Sequence, residues 1–162
     1  MIKKIILSTA IATITSPLSA SVDFNKFFCD STLRIDYIFS GKSGAPSVSV
    51  DGLEYQPGWA GRRHNLDYVP FDGNLQVLVK DAISGDTIYL NSYSSLFQEW
   101  LHTPESKMHP VAMENTFLVP APRHEADVTV TLYDNRRNPM ATVTHRVTPD
   151  DILIRRPDTS AS

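Results

Sequence analysis

Residues 128–133 read VTVTLY, and this stretch decides the fold class. Its apolar members Val128, Val130 and Leu132 alternate with polar or amphipathic neighbours, which is the period of a strand with one buried face. A polar connection at 134–139 separates it from a second alternating run. The residues that share a face in that second run are Ala141, Val143, His145 and Val147. Two such runs joined by a short polar loop predict an antiparallel β-hairpin.

The same two-residue period recurs upstream of this hairpin. Its apolar members are Leu33, Ile35, Tyr37 and Phe39, then Val48 and Val50, then Leu75, Val77 and Val79, and then Ile88 and Leu90. The runs recur about every ten to fifteen residues, and no long helical pattern separates them. That spacing favours an antiparallel sandwich over a parallel sheet with helical crossovers.

One helix is predicted, from Ser95 to His102. The residues on its apolar stripe are Leu96, Phe97, Trp100 and Leu101. Ser94 or Ser95 can cap its N-terminus, and we expect Leu96 and Trp100 to anchor the helix in the core rather than to contact a ligand. The predicted fold is therefore an all-β antiparallel β-sandwich, either jelly-roll or immunoglobulin-like, with one short helix.

Residues 1–20 have the three parts of a bacterial secretory signal peptide. Lys3 and Lys4 form a basic start, an apolar run extends over 5–14, and the segment ends on the small residue Ala20. The apolar run is about half of the ~20 residues that a membrane-spanning helix needs. We therefore expect cleavage after Ala20, no membrane span in the remaining chain, and a secreted or periplasmic protein.

The remaining chain is predicted to hold one domain. We expect an N-terminal lead at 21–31, the β-sandwich domain at 32–155, and a linker or tail at 156–162. Cys29 is the single cysteine, so no intrachain disulfide can form, and we expect its thiol to be buried. The formal net charge is −3, with 15 Lys and Arg against 18 Asp and Glu. Because no net positive field collects phosphates, nucleic acid is not expected as a partner.

No motif for catalysis, metal binding or cofactor binding is found along the sequence. His124 and Glu125 resemble the start of a zinc-peptidase helix, but Val128 stands where the second histidine is required. The GKS sequence at 41–43 imitates the end of a phosphate-binding loop, yet Asp36 stands where its first glycine is required. We therefore expect no enzyme activity, no metal and no cofactor. A Ser/His/Asp set assembled only by the fold is left open.

The stretch PGWAGRRHNL at 57–66 is the most distinctive loop. Its glycines let the backbone turn sharply, and Trp59, Arg62 and Arg63 can form a stacked cationic surface. Such a surface would grip a carboxylate, a sugar ring or a neighbouring domain. The alternative is a structural loop in which Trp59 caps the sandwich and the arginines pair with acids. Trp59, Arg62 and Arg63 are the candidate residues for an interdomain or ligand surface.

Six stretches of the sequence carry a family resemblance. They are LRIDYIFSG at 33–41, PGWAGRRHNL at 57–66, SSLFQEWL at 94–101, ENTFLVP at 114–120, DNRR at 134–137 and PDDILI at 149–154. In order and spacing they resemble the N-terminal domain of bacterial IgA-cleaving zinc metallopeptidases, the IgA peptidase family. The resemblance implies a β-sandwich that precedes a zinc-dependent catalytic domain in a secreted peptidase. The family's two-histidine zinc motif belongs to that following domain. No position here matches it, so no catalytic or metal residue is carried over.

The sequence thus predicts a secreted, non-catalytic accessory domain. Its expected function is to pack against a peptidase catalytic domain, in cis or in trans, or to position substrate for that domain. Host glycoprotein or immunoglobulin are further partners that the resemblance implies. The alternative function is an independent glycan- or protein-binding module, which Trp59 and the sandwich architecture suggest.

Overall fold

The computed structural model describes residues 21–70 and 73–157. The predicted signal peptide and the end of the predicted tail lie outside the described residues. Seven strands form most of the described chain. Their bounds are β1 Phe28–Lys42, β2 Ala45–Pro57, β3 Leu75–Asp81, β4 Thr87–Tyr93, β5 Val111–Pro122, β6 Ala126–Tyr133 and β7 Pro139–Val147.

The strands form two antiparallel sheets, which confirms the predicted all-β sandwich. One sheet has three strands in the order β2-β1-β5, and the other has four in the order β4-β3-β6-β7. The predicted C-terminal hairpin is β6 paired with β7, with Val130 opposite Val143. The sheets close against each other because β2 packs on β7 at one side of the sandwich.

The core lies between the sheets and is built from the alternating residues. The predicted apolar faces of β1, β3 and β6 are fully buried. These residues are Leu33, Ile35, Tyr37 and Phe39, then Leu75, Val77 and Val79, and then Val128, Val130 and Leu132. Burial of each such side chain contributes about 1.5–3 kcal/mol to folding, so this alternation is the main source of stability.

The β4 strand departs from the predicted alternation. Ile88 and Tyr89 are both buried, whereas Leu90, expected on the core face, is half-buried. The pairing explains this: Val79 lies opposite Tyr89 but the next residue of β3 lies opposite Thr87, so β4 carries an extra residue. Such a bulge turns two neighbouring side chains towards the same side, and Tyr89 becomes a core residue.

The helices are short. The predicted helix is α2, Leu96–Leu101, and the Ser95 hydroxyl accepts the Phe97 N–H at 3.1 Å as its cap. Leu96 is 73% exposed, so the expectation that it anchors the core was wrong; Phe97 and Leu101 do so, and Trp100 packs partly against them. A helix of six residues can bury only one narrow face.

The prediction of a single helix also missed a second one. α1 spans Phe24–Phe27 and precedes β1, and a 3₁₀ turn covers Glu105–Lys107. One helical turn leaves no periodic signal in the sequence. Within the described residues, none of these helices has the length and hydropathy needed to cross a bilayer. Cys29, expected to be buried, is a half-buried free thiol at the start of β1.

Residues 151–156, called the strap here, bind to the outer edge of β2. Ile154 is buried, and the Arg155 N–H donates to the Leu53 carbonyl at 3.0 Å. The Tyr55 N–H donates in turn to the Arg155 carbonyl at 2.8 Å. The Arg156 guanidinium, at the first position of the predicted linker, lies 5.3 Å from the centre of the Tyr55 ring. The end of the described chain is therefore attached to the sandwich.

Candidate functional site

Trp59 lies at the start of the long loop between β2 and β3. Its indole N–H donates to the Arg62 carbonyl at 3.0 Å, and its ring meets Tyr89 edge-on with centroids 6.1 Å apart. Gly58 has a φ of +75°, which a side chain rarely adopts. A Cβ at Gly61 would lie 2.2 Å from the Trp59 ring. The two glycines therefore permit the fold of this loop.

Arg62 ties the loop to the edge of the four-stranded sheet. Its guanidinium donates to the Tyr68 carbonyl at 2.8 Å, to the Leu66 carbonyl at 3.3 Å and to the Leu90 carbonyl. The same group lies 5.3 Å from the centre of the Tyr89 ring. Three acceptors on one guanidinium use its fork geometry. The side chain is thus committed to contacts within the chain.

Arg63 points away from Arg62, towards α1 and the start of β1. Its guanidinium is 2.5 Å from the Asp30 carboxylate, 3.2 Å from the Trp59 carbonyl and 4.7 Å from the centre of the Phe24 ring. The hydrogen bond from Arg63 lowers the pKa of the Asp30 carboxyl. The structure therefore brings Trp59 and Arg62 together and leaves Arg63 on a different side of the loop. A role for the three residues on an interdomain or ligand surface stays a prediction.

An open groove of about 680 Å³ lies beside Trp59 and Arg62. It runs between β4 and β5, the edge strands of the two sheets, and the β2–β3 loop borders it. We call it the aromatic groove, because three aromatic rings line it. Its residues are Thr32, Trp59, Ala60, Gly61, Arg62, Val69, Tyr89, Asn91, Tyr93, Thr116 and Leu118.

The tyrosines of the groove are held in place by Asn91. Its amide nitrogen donates to the Tyr93 hydroxyl at 2.9 Å and to the Tyr89 hydroxyl at 3.3 Å. The Tyr93 hydroxyl donates to the Leu118 carbonyl at 3.4 Å and so joins the two sheets. Burial raises the pKa of both tyrosines, so they remain neutral. The rings form a preorganised wall.

Most of this groove was missed by sequence reasoning. Tyr89, Asn91 and Tyr93 come from β4, and Thr116 and Leu118 come from β5, far from the loop in sequence. The spacing of Tyr89, Asn91 and Tyr93 is the one available signal, because alternate residues of a strand share a face. Their proximity to Trp59 depends on the packing of the two sheets and leaves no local pattern.

Metal-ligating residues do not gather in the described ranges. Over residues 21–70 and 73–157, no group of three or more His, Cys, Asp or Glu side chains is arranged to hold a metal ion. His124, singled out in the sequence, is exposed in the turn between β5 and β6. His145 faces inward from β7 and makes a hydrogen bond with Tyr37.

The chain matches one family of known domains. The sequence profile of a family described as peptidase M64 N-terminus matches residues 23–144. The match extends from the residue before α1 into β7 and so includes both sheets. No curated protein matches the chain.

Proposed function

The chain belongs to the peptidase M64 N-terminus family, and from this premise we propose that it is the non-catalytic N-terminal domain of a secreted zinc peptidase of the IgA-cleaving type. The IgA-cleaving type is supported by the resemblance of the six sequence stretches, and secretion or periplasmic export by the predicted signal peptide. Zinc and the catalytic residues belong to the peptidase domain, which this domain contacts in cis or in trans.

The strap is the observation that carries this proposal. A flexible linker would let two domains tumble independently. Here Ile154 is buried, and Arg155 exchanges two backbone hydrogen bonds with β2. A peptidase domain joined after the strap would therefore start from a fixed point beside Tyr55. We propose that the sandwich orients the peptidase domain through this attachment.

The predicted surface residues divide between two tasks in this proposal. Trp59 borders the aromatic groove and faces the substrate, and Arg62 holds the border of the groove in place through hydrogen bonds within the chain. Arg63 pairs with the exposed Asp30 carboxylate and does not border the groove. Positioning a protein substrate, such as an immunoglobulin or another host glycoprotein, requires a surface that the strap does not occupy. The groove meets that requirement, because β4 and β5 border it while the strap lies on β2.

The proposal is tested on the native product. An antibody to this domain captures the protein from its own cells, and intact mass and peptide sequencing identify what is captured. We expect an M64 peptidase sequence, either continuous with this domain or bound to it. Capture of the mature chain alone, with no M64 peptidase sequence, would overturn the proposal.

A second measurement tests the assignment of catalysis to the peptidase domain. Purified mature chain, with and without added zinc, is incubated with immunoglobulin and with casein. We expect no cleavage of either protein. Reproducible cleavage that a chelator abolishes would show that this chain is itself an enzyme.

An independent binding module is the second candidate function. The aromatic groove favours it, because aromatic rings in an open cleft are a common platform for ligands. A captured species with the mass of the mature chain, together with saturable binding on a glycan array, would support this alternative.

A further inference from the structure

The two outer edges of the three-stranded sheet differ in their contacts. At the β2 edge the strap already binds, since Arg155 donates to Leu53 at 3.0 Å and accepts from Tyr55 at 2.8 Å. The β2 edge thus shows that an edge of this sheet takes up a further piece of chain, at Arg155, through two backbone hydrogen bonds. β5 forms the other edge. Among the described residues, no extended segment pairs with its outer side.

The register identifies which groups of β5 point outward. On an antiparallel strand, successive residues direct their N–H and C=O to opposite sides. The Leu53 carbonyl points outward, because it accepts the Arg155 N–H of the strap. Leu53 therefore makes no backbone hydrogen bond with Ile35, the residue opposite it on β1. The N–H and C=O of Ile35 point to the other side, towards Phe117 of β5. The neighbours of Phe117, which are Thr116 and Leu118, consequently present their N–H and C=O groups on the outer side of β5.

This edge is continuous with the aromatic groove. Thr116 and Leu118 line the groove as well as the edge. The Tyr93 hydroxyl reaches the Leu118 carbonyl at 3.4 Å, which agrees with the outward direction of that carbonyl. A ligand on the β5 edge would therefore lie against the rings of Trp59, Tyr89 and Tyr93.

The chemistry of this surface fits a polypeptide better than a sugar. A strand edge offers donors and acceptors at the spacing of another backbone. The polar groups that would bind hydroxyls of a sugar ring are mostly engaged: the Asn91 amide nitrogen donates to Tyr89 and Tyr93, the two terminal nitrogens of Arg62 donate to carbonyls of their own chain, and the remaining Arg62 Nε is buried. The rest of the groove is lined mainly by the rings of Trp59, Tyr89 and Tyr93, and such a surface suits an apolar side chain.

We propose that the β5 edge at Thr116 and Leu118 and the aromatic groove bind an extended segment of polypeptide substrate. The segment adds to β5 by backbone hydrogen bonds and inserts an aromatic or branched aliphatic side chain beside Trp59. Its identity as a substrate of the peptidase rests on the proposed function, whereas the binding itself does not.

The test uses the mature chain with reduced, carboxymethylated casein and tiled peptides of its sequence as probes. Binding is followed by titration, and the site by the backbone amide NMR signals of Thr116 and Leu118. Leu118→Pro removes an outward N–H and leaves the bonds to β1 in place. Ala60→Arg fills the groove without touching a strand. Ala112→Pro is the matched control, because it places the same substitution on β5 away from the groove.

We expect saturable binding of peptides with aromatic or branched residues and signal changes at Thr116 and Leu118. Leu118→Pro and Ala60→Arg should each weaken binding about tenfold or more, and Ala112→Pro should leave it nearly unchanged. Three results would overturn the proposal: no peptide binding at millimolar concentration, binding insensitive to both groove variants, or occupation of the edge by a glycan or a second copy of the chain. If peptides bind but the native product contains no peptidase, the site stands and only the identity of its occupant falls.

Discussion

The Tyr37 hydroxyl lies 2.7 Å from Nε2 of His145 and joins the two sheets through the core. Tyr37 is on β1 of the three-stranded sheet, and His145 is on β7 of the four-stranded sheet. Burial raises the pKa of Tyr37 and lowers the pKa of His145. Both groups are therefore neutral near pH 7 and share one hydrogen bond between the tyrosine hydroxyl and the imidazole nitrogen.

This pair predicts a pH dependence of stability. The pKa of His145 is lowered from 6.5 by burial, although Asp127 acts in the opposite direction. Between the folded and unfolded pKa values, the unfolded chain binds more protons, so stability rises with pH. The stabilisation from the neutral His145 imidazole is fully present above pH 6.5. It is lost as the pH falls through the lowered pKa that His145 has in the folded state. Arg146 holds the pKa of Asp127 below 3.8, so that carboxylate stays ionised throughout this window.

Urea unfolding on either side of pH 6.5 measures this slope. His145→Gln should flatten it, because glutamine does not titrate. A slope that is unchanged in His145→Gln would show that another group causes it.

Removing the hydroxyl alone tests the hydrogen bond. Tyr37→Phe keeps the ring against Phe117 but leaves the half-buried imidazole nitrogen of His145 without its hydrogen-bond partner. We expect a loss of about 1–3 kcal/mol in the free energy of unfolding, the usual penalty for an unsatisfied buried polar group. Tyr68→Phe is the control, because Tyr68 is 68% exposed. Equal stability of the two variants would contradict this role for the pair.

Arg62 is expected to stabilise the β2–β3 loop. Arg62→Lys keeps the charge but loses the fork that reaches the carbonyls of Leu66, Tyr68 and Leu90. A loss of about 1–3 kcal/mol in urea unfolding is expected. Arg63→Lys, on the exposed Asp30 carboxylate, should change stability little. Unchanged stability of Arg62→Lys would contradict a stabilising role for these hydrogen bonds.

Gly61 should resist any side chain. The Cβ of Gly61→Ala would fall 2.2 Å from the Trp59 ring, so the indole must leave its place beside Tyr89. We expect a red-shifted Trp59 emission, measured in a Trp100→Phe background, and a loss of about 1–3 kcal/mol in stability. Gly52→Ala is the matched control, since its Cβ meets only the movable end of Arg155. An unshifted emission would refute the close approach of Gly61 to the ring.

The strap should protect the Arg155–Arg156 bond from trypsin. Tyr55→Leu removes the ring on which Arg156 lies, and a contact of this kind contributes about 0.5–1 kcal/mol. Cleavage after Arg155 should then accelerate about two- to fivefold relative to cleavage in the exposed β6–β7 loop at Arg136. Tyr55→Phe keeps a ring and should behave as the parent chain. Equal rates in Tyr55→Leu and Tyr55→Phe would exclude a role of the ring in holding the strap.

The fold could be predicted where burial alternates without interruption. β1, β3, β6 and the β6–β7 hairpin follow from their apolar faces, and the cap at Ser95 follows from a polar residue before an apolar stripe. For β4 the sequence predicted Ile88 and Leu90 on the core face, whereas Ile88 and Tyr89 are buried, because a bulge at Ile88 turns Tyr89 towards the core. Only the partner strand reveals such a bulge.

The groove and the strap could not be predicted from local patterns. The groove needs Tyr93 of β4 and Leu118 of β5 to meet across two sheets, and no short stretch encodes that meeting. The strap binds β2 through the backbone N–H and C=O of Arg155, which every residue type except proline has. A sequence pattern reports side chains, so attachment by the backbone leaves no trace in it.

The central place of β1 in its sheet affects how the chain folds. Its neighbour β2 follows directly, but its other neighbour β5 begins only after β3 and β4 of the opposite sheet. The Asp36 and Thr116 side chains that meet across this pair are 80 residues apart in sequence. Such non-local pairing gives a high contact order and slow folding, in the range of milliseconds to seconds. One side of β1 therefore stays uncovered until most of the chain is available to fold, and chaperones and proteases can act in that interval.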